Sequence, residues 1–355
     1  MDEAPLPGVN GHAFVLAHLS DPHVPHRLLT WPTALLNKRI FGFLTWQFRR
    51  VHLHRREVLD ALSRDLAAVG ADHVALTGDV VNIALPQEFR AAAGWLHTLG
   101  SPDRVTVVPG NHDAYVAVSW QRSWRAWQAF MTSDDGAGAV VPEAGRREQP
   151  RRPGLGCFPI YRRRGPVALI GLSTALPTAP GRSSGCIGPA QLERLAAHLR
   201  EAAAAGLFRV VLLHHPPHAP QLARYKQLSD DEAFRGVIAA AGAELVLHGH
   251  EHRFRYEQLA GPLGRVPCFG VPSASMLPPG DEPIPAGAYH LHHIRRCGDA
   301  WSIETRIRTY QPAHGRFVES DRRALSLPVQ AMATTADTAG AARSSPAPRV
   351  DAAGG

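Results

Sequence analysis

Cysteine is scarce: the 355-residue chain carries four, Cys157, Cys186, Cys268 and Cys297. None forms a CxxC pair, which excludes zinc ribbons and dithiol redox motifs, and four thiols are too few for a disulfide scaffold. They read as buried thiols. No uncharged apolar run reaches the roughly 18 residues of a membrane-spanning helix. Residues 1–11 are short, acidic and rich in Pro and Gly, without the basic-then-apolar pattern of a secretory leader. Charged residues make up only 19% of the chain against 45% hydrophobic, a balance that excludes global disorder and permits a sizeable core. A soluble, cytoplasmic globular protein is expected. What the chain has in excess is histidine, 20 residues, and a formal net charge of +7.

Apolar runs alternate with helical periodicity along the chain. Strands are expected at 13–19, 73–77, 105–108, 167–172, 210–213 and 245–247, with helices at 57–70, 86–99, 119–130, 189–205 and 230–241. In the first helix Val58, Leu59, Leu62, Leu66 and Val69 share one face and Gly70 stops it. Beyond Arg253 the pattern turns strand-rich, at 254–259, 265–269, 288–294 and 301–308. This alternation predicts an α/β protein with helices outside a sheet core. A single catalytic domain over 1–326 is expected, followed by an Ala/Ser/Pro-rich tail, 327–355, too poor in large apolar residues to order itself.

Polar clusters close these strands. They are Asp21-Pro22-His23, Gly78-Asp79, Gly110-Asn111-His112-Asp113, His214-His215-Pro216-Pro217 and Gly249-His250-Glu251-His252. Loops at strand ends are where a rigid scaffold presents functional groups. Each cluster alone fits a capped turn or a solvated histidine pair. Five in this order, each ending an apolar run, call for a shared chemistry.

The ordered set Asp-x-His, Gly-Asp, Gly-Asn-His-Asp, His-His-Pro-Pro, Gly-His-x-His resembles the calcineurin-like metallophosphoesterase superfamily over about residues 13–310. The nearest look-alikes are bacterial class III cyclic-nucleotide phosphodiesterases and glycerophosphodiesterases. The resemblance implies two sheets packed as a β-sandwich flanked by α-helices. It also implies two metal sites, one held by Asp21, His23, the bridging Asp79 and His252, the other by Asp79, Asn111, His214 and His250. Oxygen and imidazole ligands without thiolate suit Mn, Fe or Zn, with Ni or Co as alternatives, rather than Ca or a structural zinc. Two such ions acidify a bridging water for in-line attack on phosphorus. His112 is then the catalytic residue that protonates the leaving oxygen or donates to the phosphoryl group, and Asp113 would fix its tautomer. His214 rather than His215 is the expected ligand, since the motif places the ligand two residues before the first Pro. His215 and His248 would stand behind the ligands, Asn82 would support its loop, and the His-rich strand 289–293 reads as structural.

Residues 24–56 form an insertion with seven Lys/Arg (Arg27, Lys38, Arg39, Arg49, Arg50, Arg55, Arg56) and no acid. Apolar residues at 36, 40, 43, 44 and 48 share one helical face. Three readings remain: a helix packed on the core with its arginines reaching water, an interfacial helix resting on anionic lipid at the inner face of the membrane, or a protein contact. Nucleic-acid binding is disfavoured, because nothing else suggests a groove reader. Position directly after Asp21 and His23 predicts that the insertion overhangs the metal site. A second basic stretch, 146–164, reads as a solvated loop, with phosphate steering as the alternative.

The leading expectation is a dinuclear-metal hydrolase of a small phosphodiester. The alternative is a pyrophosphohydrolase of a lipid-linked nucleotide such as UDP-2,3-diacylglucosamine, with 24–56 as membrane or acyl-chain element. A nuclease or a non-catalytic scaffold ranks below both. Oligomeric state is left open.

Overall fold

The computed structural model describes residues 13–26, 35–134, 157–278 and 285–329. Among the described residues, twelve strands form two six-stranded mixed sheets. The first sheet has the order β12-β11-β10-β1-β2-β3, from β1 (Phe14–Leu19), β2 (His73–Leu76), β3 (Val105–Val107), β10 (Ala288–Cys297), β11 (Ala300–Gln311) and β12 (Arg316–Pro328). The second has the order β4-β5-β6-β7-β9-β8, from β4 (Ile160–Arg164), β5 (Val167–Gly171), β6 (Phe208–Leu212), β7 (Leu245–His248), β8 (Arg255–Gly261) and β9 (Gly264–Gly270).

Side-chain alternation explains why the central strands read as unbroken apolar runs. Leu169 of β5, Val210 and Leu212 of β6, and Leu245 and Leu247 of β7 face the first sheet and pack with Leu16, Val74, Val107 and Ile303. Their neighbours Ala168, Ile170, Val211 and Val246 face outward under helices α5 (Pro189–Ala204) and α6 (Asp231–Ala241), against Leu195, Leu199, Phe234 and Ile238. A strand covered on both faces needs apolar residues at every position.

The parallel strands position the site. β1, β2 and β3 are parallel, as are β5, β6, β7 and β9. The crossovers are made by α3 (Arg56–Val69) and α4 (Pro86–Leu99), whose apolar faces cover the first sheet. Parallel strands deliver their carboxyl ends to one edge, and all five polar clusters sit on such ends.

Several expectations change. The 119–130 segment forms two short 3₁₀ helices, Trp120–Arg122 and Trp124–Met131, rather than one α-helix. Strand β12 was not anticipated and runs to Pro328, two residues past the expected domain end; residues 330–355 of the tail lie outside the described residues. Of the second basic stretch, 146–156 lies outside the described residues, and 160–164 is strand β4 rather than loop. Arg162 there is buried and donates to the carbonyls of Thr132, Pro102, Val105 and Ala129 at 2.7–2.8 Å. It stitches β4 to the first sheet and faces no substrate.

The insertion folds as α1 (Arg39–Thr45), one wide π-type turn (Trp46–Arg50) and the single turn α2 (Val51–Leu53). Its orientation reverses the expected face. Arg39 is buried, donating to the carbonyls of Ile83 at 2.9 Å and Ala84 at 2.6 Å. Leu36, Phe41 and Leu44 are 81%, 58% and 45% exposed. A guanidinium that caps two otherwise unpaired loop carbonyls outweighs an apolar face here, because orphaned buried carbonyls are costly. Leu35, Phe43 and Trp46 do pack inward, on Ile83 and Leu85.

Candidate active site

The loops after β1, β2 and β7 share an unusual backbone. Asp21, His23, Asp79, His250 and His252 adopt left-handed φ values of 51°, 37°, 54°, 74° and 55°. Side chains other than glycine disfavour that region by about 1–3 kcal/mol each, and such residues cluster where function fixes the geometry. Cross-loop bonds hold the strain: Asp21 N–H to Gly78 O at 2.9 Å, His23 N–H to Asp79 O at 3.1 Å, and Val24 N–H to Val80 O at 2.8 Å. The Glu88 carboxylate, buried at the start of α4, accepts the N–H groups of Asn82, Ile83 and Leu85 and braces the loop after β2.

Two motif glycines are explained by close approach. A Cβ on Gly110 would meet Asp79 Oδ1 at 2.3 Å, and one on Gly249 would meet Ser20 Oγ at 1.9 Å and Asp21 Oδ2 at 2.5 Å. Gly249→Ala is therefore expected to push Asp21 out of place. It should lower bound metal and turnover together, measured by metal analysis beside an activity assay; unchanged metal content would refute it.

All seven candidate ligands converge. Asp79 lies in the middle, its Oδ2 3.4 Å from His214 Nε2 and 3.9 Å from His23 Nε2. On one side stand His23 and His252, their Nε2 atoms 3.4 Å apart, with Asp21 Oδ1 3.1 Å from His252 Nε2. On the other, Asn111 Oδ1 lies 3.1 Å from His214 Nε2 and 2.9 Å from His250 Nδ1. Asp21 Oδ1 is buried, with His252 Nε2 as its close polar neighbour.

Tautomers follow from the carbonyls behind the rings, since a carbonyl only accepts. His23 donates from Nδ1 to Val81 O (3.2 Å), leaving its Nε2 lone pair toward Asp79, and His214 donates from Nδ1 to Thr77 O (2.7 Å), turning its Nε2 toward Asp79. His250 donates from Nε2 to Lys226 O (3.0 Å), leaving Nδ1 toward Asn111. Outer hydrogen bonds of this kind orient imidazoles for a cation. The donor set and its inward-facing nitrogens and carboxylate oxygens fit two cations sharing Asp79. His215 is excluded from that set, because Ser183 O and Thr174 Oγ1 occupy both of its ring nitrogens.

Charge is organised around Asp79. Burial opposes its ionisation, but His214, His112 and His23 hold its carboxyl well below the usual range. Burial likewise opposes the charged form of His214, and Asp79 overrides it, pushing His214 up to about 9. A cation must therefore displace a proton from His214. Metal affinity of the stripped protein is expected to rise as pH increases toward 9, by up to about tenfold per unit. Calorimetry in buffers of different ionisation enthalpy should detect one proton released on loading; none released would contradict it.

His112 is placed as expected but held differently. Its Nδ1 donates to Asn82 O at 2.5 Å, and its backbone N–H donates to Asp79 Oδ1 at 2.7 Å. Asp113 does not fix that ring, which corrects the expected catalytic role. Its carboxylate accepts the N–H groups of Val80, Val81 and Gly110 at 2.8–3.0 Å, tying the loop after β2 to the loop after β3. The side chain of Asp113 is too short to leave those donors and reach the next ring.

The site floors an open cleft of about 1890 Å³, counted with the solvent it holds, lined by Lys38, Arg50, Arg182, Lys226, Arg253 and Arg255 against the acids Asp79 and Glu251. The insertion overhangs it, as its position predicts: Lys38, Gly42, Thr45, Arg50, Leu53 and His54 form one wall. Two of these were missed as site residues. Arg50 Nη1 lies 3.1 Å from His112 Nδ1. The His54 ring is 4.5 Å from His23 and 5.9 Å from His252, with Nδ1 bonded to Ser275 Oγ at 2.7 Å. Their sequence signal was only a basic stretch; the isolated bridge between His54 and Met276 brings them in.

Fold and site together are those of a metallophosphoesterase. Residues 14–254 match the calcineurin-like phosphoesterase family, and the chain belongs to it. Over 110 residues it is 36% identical to a probable cyclic nucleotide phosphodiesterase of Synechococcus sp. (strain WH7803), covering 30% of this chain and 41% of that protein. A dimetal phosphatase from Danio rerio shares the fold at 13% identity, with a TM-score of 0.54 over 90% of this chain and 100% of its own. No helix among the described residues is long and apolar enough to cross a membrane.

Proposed function

We propose that the protein hydrolyses a small phosphodiester, a cyclic nucleotide or a glycerophosphodiester, at two cations sharing Asp79. The observation that carries this reading is the central place of Asp79 between two donor groups at the floor of a basic cleft. Asp21, His23, Asp79 and His252 would hold one ion, and Asp79, Asn111, His214 and His250 the other. When bound, the ions supply charge stabilisation for the phosphoryl oxygens and an acidified water. Mn, Fe and Zn suit the donor set, with Ni and Co as alternatives. Lys38, Arg50 and Lys226 on the cleft wall attract and orient the phosphate. His112, beside Arg50 with its proton fixed on Nδ1, keeps an Nε2 lone pair that would accept a proton from the attacking water and return it to the leaving oxygen. The similarity to a probable cyclic nucleotide phosphodiesterase favours cyclic nucleotides as the first substrate to test.

A second reading rests on the exposed Leu36, Phe41 and Leu44 beside the cleft: a lipid-linked nucleotide whose pyrophosphate is cleaved, with the insertion resting on anionic lipid. Mn-loaded protein assayed against cyclic nucleotides, glycerophosphodiesters and a UDP-diacylglucosamine separates the two. Turnover of the first two classes supports the leading reading. Turnover of the lipid nucleotide alone, lost together with liposome binding in a Phe41→Ser/Leu44→Ser variant, replaces it with the second.

A further inference from the structure

Between the two sheets lies a histidine cluster that the phosphoesterase site does not use. His18 on β1 pairs in register with His290 on β10, and His292 follows two positions on, along the same face. All three are 0% exposed. Phe269 packs on His290 and His292 at centroid distances of 6.0 and 5.3 Å, and Phe254 packs on His290 at 5.5 Å. Aliphatic residues would fill such a position without leaving any polar group behind.

The three rings form a nearly equilateral triangle, with centroid separations of 5.9, 6.2 and 5.8 Å. One ring nitrogen from each lies within 4.8 Å of the other two. A point equidistant from centroids about 6 Å apart is about 3.5 Å from each, while an ion bound at 2.0–2.1 Å to an imidazole nitrogen lies about 3.2 Å from the ring centre. The triangle thus needs only a small contraction to close on an ion.

Hydrogen bonding divides the ring nitrogens of two of the three histidines. His18 Nε2 is bonded to Thr77 Oγ1 at 3.0 Å, and His292 Nδ1 to Thr305 Oγ1 at 2.9 Å. The opposite nitrogens, His18 Nδ1 and His292 Nε2, have no partner, and neither nitrogen of His290 has one. Orphaned polar atoms in a dry core are costly. A hydroxyl able to accept the N–H of each of two rings, with an unpartnered nitrogen on the other side of each, is the arrangement that metal-binding histidines show. Burial, together with the neighbouring histidines, keeps the three rings neutral, the form that ligates.

We propose that His18, His290 and His292 form a buried three-histidine site for one first-row transition ion of the imidazole-preferring class, zinc, copper or nickel. The ion enters during folding, because the closed site offers no path from solvent, and it ties β1 to β10 three residues before Asp21. Its role is structural, and it shares no residue with the phosphoesterase site.

Full-length protein refolded with zinc, nickel or copper, crystallised, and measured at each metal's absorption edge tests this directly. The expected result is an anomalous peak between the three rings with at least one of the metals. In solution, Asp79→Ala protein should retain one chelator-resistant ion per chain that His290→Leu/Asp79→Ala protein lacks. His290→Leu alone should keep the ions of the phosphoesterase site. No peak between the rings for any of the three metals overturns the proposal and leaves a neutral histidine cluster, whatever the phosphoesterase activity proves to be. The wild-type map decides even if the His290 variants fail to fold.

Discussion

Asp79→Ala is expected to lower kcat on bis(p-nitrophenyl) phosphate by about three orders of magnitude, the scale of several kcal/mol of lost charge stabilisation. Asp79 faces both donor groups, 3.4 Å from His214 and 3.9 Å from His23. Without it His23 and His214 have no anion between them, and the loss should appear in metal content before it appears in rate. Its Oδ1 also receives the His112 N–H, so alanine frees the loop after β3 as well. Asp79→Asn separates these effects: the amide oxygen can still accept the His112 N–H, while the negative charge is gone. Both variants should hold less than the wild-type metal complement. Full metal occupancy with undiminished turnover in either would remove Asp79 from the centre of the site.

His112→Ala should retain its metal and lose rate by roughly 100-fold, the lower end of what a positioned proton-transfer group contributes. None of the candidate ligands depends on the His112 ring for its tautomer, which is why metal should stay. The pH dependence distinguishes a neutral imidazole that relays a proton from an imidazolium that donates one. Burial, followed by the Arg50 guanidinium, pushes His112 down to about 3. A group titrating there is neutral throughout pH 5–8, so the ratio of wild-type to variant kcat/KM should stay flat across that window. An imidazolium acting as acid with the ordinary pKa of about 6.5 would make the ratio fall as pH rises through 6–7. Such a fall would reassign His112 as a cationic donor. Arg50→Gln is the companion measurement: it removes the nearest cation, and should raise the pKa of His112 while weakening phosphate binding through KM.

Legibility differed by level. Asp21, His23, Asp79, Asn111, His214, His250 and His252 were named from strand ends and resemblance, and all seven meet. They were readable because each is placed by a short loop directly after a parallel strand, so chain order carries the spatial order. The choice of His214 over His215 needed the structure only to show which ring turns a nitrogen toward Asp79 and Asn111. Asp113 was misread because sequence adjacency to His112 suggested contact, whereas its carboxylate turns back to three backbone N–H groups. The buried Arg162 and Arg39 were misread for a related reason. Arginine in a basic stretch reads as solvated, and the carbonyls that bury it come from elements far along the chain.

The sequence by itself determined the α/β alternation, the strand-end clusters and the donor chemistry, since periodicity and residue type are local properties. Tertiary structure alone decided what fills the space between distant segments. It brought His54 and Arg50 into the cleft wall, turned Leu36, Phe41 and Leu44 outward, and closed His18, His290 and His292 into a triangle. The physical reason is that these contacts depend on strand register and on competition for orphaned carbonyls, neither of which a linear pattern encodes.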